Sequence, residues 1–142
     1  MFVSWTNNLN IGIELIDKQH QEIFKQTNIF LKKLDENKKD QEKTTETVEE
    51  LFYFLSDYFV THFNDEESLQ LKYNYPRYKR HKEIHHNFIN KITEIKYKFL
   101  NEEESIDELI EIIKDKIMNW LINHIAEEDT LISEYIQTHD IK

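Results

Sequence analysis

The 142-residue chain has no cysteine, one glycine (Gly12) and one proline (Pro76). Without thiols there is no disulfide, no zinc finger and no thiolate chemistry. With so little glycine and proline, the chain lacks the turn chemistry that an all-β fold needs at its reversals. No stretch approaches the ~18 apolar residues of a membrane span. The opening residues, MFVSWTNNLNIGIELIDKQH, lack the basic start and long apolar run of a secretory signal. Positive charge is short as well. Against 28 acidic residues stand 18 Lys and Arg, and the resulting net charge of −10 repels nucleic-acid phosphates. These absences point to a soluble cytoplasmic protein that binds neither nucleic acid nor membrane.

What the chain does have is Leu, Ile, Lys and Glu in abundance, the composition of amphipathic helices with solvated outer faces. The period of its apolar residues marks four helices. The first runs from about Glu14 to Leu34, with Ile16, Ile23, Phe24, Leu31 and Leu34 on one side. The second runs from about Thr45 to Leu71 and carries Val48, Leu51, Phe52, Leu55 and Phe59. The third starts near Pro76, a residue suited to a first helical turn, and carries Phe88, Ile92, Ile95 and Phe99. The fourth opens at SIDE, where Ser105 and Glu108 have the spacing of a capping box. Its inward residues are Leu109, Ile113, Ile117, Trp120 and Leu121.

The linkers DENKKDQEK, KYNY and NEEE are short and polar, and short links between long helices favour antiparallel neighbours. The expected fold is all-α: an up-down-up-down antiparallel four-helix bundle. It forms a single domain over residues 1–142, with an N-terminal arm (1–13) ahead of the bundle (14–142). Phe2, Val3 and Trp5 give the arm apolar groups with which to pack.

The stretch RHKEIHHNF holds three of the seven histidines. His81 and His85 lie one helical turn apart on one face, and His86 points about 100° away from His85. Following the third helix's apolar stripe from Phe99 through Ile92 and Phe88 leads directly to His85 and His81. On the second helix Leu55 and Phe59 lead to His62, with Glu66 one turn beyond. On the first, Ile16 leads to His20. On the fourth, Ile117 and Trp120 lead to His124, with Asp129 a little more than a turn later. His86 and His139 stay outside this set.

In alternating helices all five inward histidines fall at the same end of the bundle. Singly, each reads as a hydrogen-bonded core histidine. Five at one level, with two inward acids, would cost several kcal/mol per unpaired group if left to themselves. A metal centre satisfies them together.

Imidazole and carboxylate without sulfur suit Fe, Zn or Mn rather than Cu(I) or an iron–sulfur cluster. Seven side chains are too many for one ion, so two ions are expected. A pair of six-coordinate ions, bridged by both carboxylates and one oxo or hydroxo oxygen, then leaves a single position open for one small molecule.

The pattern His62-x-x-x-Glu66, His81-x-x-x-His85 and His124-x-x-x-x-Asp129, with IDKQH around His20, resembles the hemerythrin family over nearly the whole chain, Trp5 included. The likeness is specifically to its single-domain bacterial branch. The resemblance implies two Fe ions per chain, one held by His81, His85 and His124 and the other by His20 and His62, with Glu66 and Asp129 bridging. It implies reversible O2 binding as a hydroperoxide at the five-coordinate, two-histidine iron, in a pocket lined by Ile23, Phe63, Trp120, Leu121 and Ile125. O2 carriage, storage or delivery follows, with an unidentified O2-accepting protein as partner and no enzymatic turnover.

Two other roles use similar parts. One is O2, NO or iron sensing, or iron handling, through the same centre. The other is a carboxylate-rich di-iron oxidase, which needs two Glu-x-x-His motifs. This chain offers one such match, Glu83 to His86, and His86 lies off the inward face.

Overall fold

The apolar stripes close on one another in four long helices. The computed structural model describes residues 2–102 and 105–139, the side chain of Glu102 excepted. A single 3₁₀ turn, Asn7–Leu9, is followed by α1 (Glu14–Glu36), α2 (Gln41–Lys72) and α3 (Tyr78–Glu102). The fourth helix, α4, occupies residues 106–139 without a break in helical winding. No strand occurs among the described residues, and none of the helices is long and apolar enough to cross a membrane. The architecture is a four-helix bundle, as the periodicity predicts. Helix α2 packs on both α1 and α3, and the first turns of α4 pack on α1.

The helix ends differ from expectation by a few residues, each for a local reason. Helix α2 begins at Gln41, ahead of the expected Thr45, because Asp40 caps it by accepting a hydrogen bond from the Lys43 amide at 3.2 Å. The first linker therefore shrinks to residues 37–40. Helix α3 begins at Tyr78, and Pro76 sits in the preceding turn rather than inside the helix.

That turn is built on Asn74, whose φ of 54° lies in the left-handed region. The Tyr75 amide reaches back to the Gln70 carbonyl at 2.9 Å and the Asn74 amide to the Leu71 carbonyl at 3.2 Å. This is the Schellman arrangement, with Asn in the place usually held by Gly. The Ser105 cap is present, its hydroxyl accepting from the Glu108 amide at 3.1 Å. Of the expected NEEE link, Asn101 and Glu102 are helical, whereas Glu103 and Glu104 lie outside the described residues.

The core runs the length of the bundle. Phe24, Phe52, Phe59, Leu31, Leu51, Ile92, Leu109 and Ile113 are among its fully buried side chains. Each large apolar side chain removed from water contributes about 1.5–3 kcal/mol before entropy is set against it. Trp120 is only half-buried, packed against this core from one edge.

The arm is pinned as well as packed. Val3 and Leu9 are buried, and Trp5 meets Phe24 edge-on with ring centres 5.2 Å apart. The Asn28 side chain accepts from the Phe2 and Val3 amides and donates to the Val3 carbonyl. Asp17 accepts from the Ile11 and Gly12 amides, and the Ser133 hydroxyl donates to the Ile11 carbonyl. Gly12 turns the chain into α1 with φ at +88°, and a Cβ there would lie 3.4 Å from the Gln137 amide nitrogen. Left-handed backbone costs an ordinary residue about 1–2 kcal/mol. Gly12→Ala is therefore expected to lower stability by about that amount, read as a fall in the denaturation midpoint with an unchanged slope.

Candidate metal centre

The five inward histidines and two inward acids meet in one place. His20 lies early in α1 and His62 late in α2, while His81 and His85 lie early in α3 and His124 just past the middle of α4. Antiparallel packing puts all five at one depth. Every one of them is nearly or wholly removed from solvent, as are Glu66 and Asp129.

Spacing explains how each helix aims its pair. His62 and Glu66, and likewise His81 and His85, are four residues apart and share a face. His124 and Asp129 are five apart, which on a regular α-helix would turn them about 140° away from each other. Here α4 changes its winding. Ile125–Asp129 is a π-helical turn, and the Thr130 amide bonds to the Ile125 carbonyl five residues back. The Thr130 hydroxyl reinforces that carbonyl at 2.9 Å. The wider turn brings residue i+5 round to the face of residue i, a use of π-bulges that recurs at functional sites. A second π turn, Ile113–Met118, lies earlier in the same helix.

The two carboxylates divide the histidines unequally. Glu66 Oε1 faces His81 Nε2 at 2.6 Å, His85 Nε2 at 3.3 Å and His124 Nε2 at 3.9 Å. Its other oxygen, Oε2, faces His62 Nε2 at 3.3 Å. Asp129 repeats the division: Oδ1 lies 3.3 Å from His81 Nε2 and 3.2 Å from His124 Nε2, and Oδ2 lies 3.3 Å from His20 Nε2. One half thus gathers three imidazoles and two carboxylate oxygens. The other gathers two imidazoles and the two remaining oxygens.

These donors suit metal ions better than they suit each other. All four carboxylate oxygens are buried, and among the described residues only the site's own imidazoles approach them. The Nε2 atoms crowd together, with His20 and His62 at 3.0 Å, and His124 at 3.1 Å from both His85 and His81. Neighbouring corners of an octahedron about 2.1 Å from its centre are about 3.0 Å apart, whereas tetrahedral corners would be about 3.4 Å apart. The spacing fits six-coordination in each half.

Electrostatics shows what the imidazoles and carboxylates do without an ion. Burial disfavours charge on His81 and His124, but the Asp129 and Glu66 carboxylates outweigh it, lifting His81 to about 9 and His124 to about 10. Burial and the Glu66 charge push Asp129 upward, yet His124 and His20 prevail and hold it down at about 2. Glu66 likewise stays well below the usual carboxylate range, its burial overcome by four surrounding imidazoles. In the metal-free centre, His81 and His124 hold their protons against the two carboxylates.

Of the pocket residues expected by resemblance, Ile23, Phe63, Leu121 and Ile125 are buried in the core. Trp120 stacks on His124 with ring centres 4.5 Å apart, and Phe63 stacks on His85 at 3.8 Å. Trp120 therefore walls the three-histidine half, whereas Phe63, whose ring centre also lies 5.5 Å from that of His62, borders both halves. His86 is exposed, and His139 is exposed on the outside of α4 against Tyr135.

Two further side chains reach the outer nitrogens of the site histidines, and helical spacing did not point to them. His62 Nδ1 donates to Gln19 Oε1 at 2.8 Å, and Gln19 Nε2 donates to Asp65 at 2.7 Å. His85 Nδ1 donates to Glu67 at 2.9 Å. Successive residues on a helix fan out by about 100°. Asp65, Glu66 and Glu67 accordingly face α1, the centre and α3 in turn. The run of three acids was the available signal, but its partners lie on other helices.

A bundle whose four helices bring five imidazoles and two carboxylates to one buried point defines a histidine–carboxylate metal-binding protein. The family model described as the hemerythrin HHE cation binding domain matches residues 11–136. The chain is similar to the bacteriohemerythrin of Stenotrophomonas maltophilia, with 30% identity over 135 residues that cover 95% of this chain and 82% of that one. It is similar also to the bacteriohemerythrin of Pseudomonas paraeruginosa, with 34% identity over 125 residues covering 88% of this chain and 75% of that one. A crystal structure of a hemerythrin leucine-to-alanine mutant shares the fold, with a TM-score of 0.72 at 23% identity and coverage of 94% of this chain and 95% of that one. The chain belongs to the hemerythrin family.

The charge arrangement predicts how the metal-free protein responds to pH. Raised histidines contribute stability that is complete below their ordinary value of 6.5 and is lost as pH rises through about 9 and about 10. Depressed carboxylates contribute above their ordinary values of 3.8 and 4.5, and that of Asp129 is lost as pH falls through about 2. The melting temperature of metal-free protein should therefore be highest between pH 4.5 and 6.5. Loading metal at neutral pH should displace the His81 and His124 protons into the medium. Calorimetry across the pH range, and titration in two buffers of different ionisation heat, check both expectations.

Proposed function

We propose that this chain binds O2 reversibly at a pair of iron ions, for carriage, storage or delivery of O2. His81, His85 and His124 are proposed to hold one iron, His20 and His62 the other, with Glu66 and Asp129 shared between them. The observation that carries this reading is the unequal division of five imidazoles around two carboxylates, each of which turns one oxygen to either half. With one shared solvent oxygen added, the three-histidine half is saturated and the two-histidine half is one donor short. Bound there, iron ions supply the two electrons that O2 takes up and gives back.

The protein's own work is to keep that exchange reversible. Ile23 and Leu121 are buried one helical turn from His20 and His124, and Phe63 and Ile125 are buried directly after His62 and His124 in sequence. In this reading they exclude water and stray protons from the open position, and Trp120 closes the neighbouring edge against His124. Their dryness separates a carrier from an oxidase, whose carboxylate-rich centre has a different donor set. A cytoplasmic location, an O2-accepting partner protein and one domain over residues 1–142 belong to the same reading.

Metal analysis tests it first: two Fe per chain are expected after iron reconstitution, and a value of one or none would remove its basis. His86→Ala and His139→Ala should keep that content, since both residues are exposed. His124→Ala should lose it.

The pocket has its own test. Leu121 is fully buried, so Leu121→Ala should cost about 2–5 kcal/mol of stability. By admitting water it should also speed autoxidation in air at nearly unchanged iron content. Decay of the visible spectrum measures that rate. An unchanged rate in a folded, iron-replete variant would make Leu121 ordinary core.

A further inference from the structure

The outer nitrogens of the site histidines are not treated alike. In the two-histidine half, His62 Nδ1 donates to a neutral amide, Gln19 Oε1, at 2.8 Å. That amide cannot turn over, because its nitrogen is committed to Asp65 at 2.7 Å. In the three-histidine half, His85 Nδ1 donates instead to a carboxylate, Glu67 Oε2, at 2.9 Å. Each half therefore has one imidazole held from outside, and the two acceptors differ by a full charge.

Glu67 is also placed apart from the buried cluster. Its side chain is 12% exposed, against 1% for Glu66. It lines a surface cleft of about 190 Å³ between α2 and α3, together with Phe63, His85, Lys82 and His86. Water in the cleft can satisfy the oxygen that His85 does not use.

Resting on the di-iron reading above, we propose that Glu67 and Gln19 are positioning residues that make the two irons electronically unequal. A carboxylate accepting an imidazole N–H draws the proton toward itself and makes the opposite nitrogen a stronger donor. Glu67 thereby stabilises the ferric state of the three-histidine iron through His85. Gln19 fixes the His62 ring as firmly but adds no charge, so the two-histidine iron, where the open position lies, remains the weaker electron donor. The inequality is built from neighbours in sequence. Gln19 precedes His20 yet serves His62, and Glu67 follows Glu66 yet serves His85.

The test uses the full-length, iron-loaded protein and two isosteric changes, Glu67→Gln and Gln19→Glu. Either replacement keeps an oxygen to accept the Nδ1–H. Gln19→Glu is made together with Asp65→Asn, whose amide donates to the new carboxylate where Asp65 would repel it. Ring orientation therefore survives while the charge changes. Glu67→Gln should move the ferric–ferrous equilibrium at least tenfold toward ferrous, about 59 mV upward for a one-electron step. Gln19→Glu should move it in the opposite direction. Glu67→Ala, which loses the acceptor altogether, should release iron to a chelator about 10–100-fold faster than wild type, with Glu67→Gln in between.

Midpoints unchanged in both isosteric variants, at full iron content, would overturn the proposal while leaving the di-iron reading intact. If Glu67→Gln fails to load iron, the Gln19→Glu midpoint decides alone: a downward shift supports the proposal and no shift overturns it. Wild-type protein that does not take up two irons would overturn the di-iron reading itself.

Discussion

Two carboxylates, each buried between two groups of imidazoles, are the constraint on which the rest of this structure depends. Glu66 and Asp129 are buried, and among the described residues only the site's own imidazoles approach their oxygens. In a low-dielectric interior, ions in that condition cost several kcal/mol each unless something positive gathers around them. His81 and His124, lifted to about 9 and about 10, do so here, and the five imidazoles crowd their nitrogens to 3.0–3.1 Å around the acids. A histidine–carboxylate cluster of this kind is stable as a proton-bearing clamp or as a metal centre. The same charges that raise His81 and His124 are those that would favour a divalent cation in place of the protons.

The bundle supplies the depth and α4 supplies the last alignment. Helices that alternate in direction bring the first turns of α1 and α3 level with the later halves of α2 and α4, so residues far apart in the chain share one level. Regular helical spacing then suffices for three of the four helices. It does not suffice for His124 and Asp129, which meet the centre together only because Ile125–Asp129 is wound as a π turn. The residue inserted there has a cost in backbone geometry, and Thr130 helps to hold it. Beyond the cluster, the aromatic rings of Phe63, Phe88 and Trp120 stack in sequence against His85 and His124. They stiffen the three-histidine half, while buried aliphatic side chains such as Ile23, Leu121 and Ile125 fill the core around the rest.

Most of this was legible from periodicity. Apolar residues recurring every three or four positions marked the four helices, and histidines continuing those stripes marked the seven residues that the fold brings together. What stayed out of reach depended on hydrogen bonds rather than on pattern. The Asp40 cap moved the start of α2, and the Asn74 turn kept Pro76 out of α3. The π turn could be suspected only from the awkward five-residue step between His124 and Asp129. Trp120 looked like core by spacing, yet it is only half-buried, its ring stacked on His124 and Phe88. Gln19 and Glu67 were hidden for a different reason: each sits beside one site residue in sequence but serves another on a neighbouring helix.

The central claim, a two-iron centre open to one O2 in a dry pocket, is tested most directly by visible spectroscopy of reconstituted protein. Anaerobically reduced protein should be nearly colourless. Admitting air should produce a charge-transfer band, and removing O2 should abolish it again over repeated cycles without loss of iron. A band that forms once and does not reverse, or no band in protein holding two irons per chain, would contradict reversible O2 binding and point to iron handling or oxidation instead.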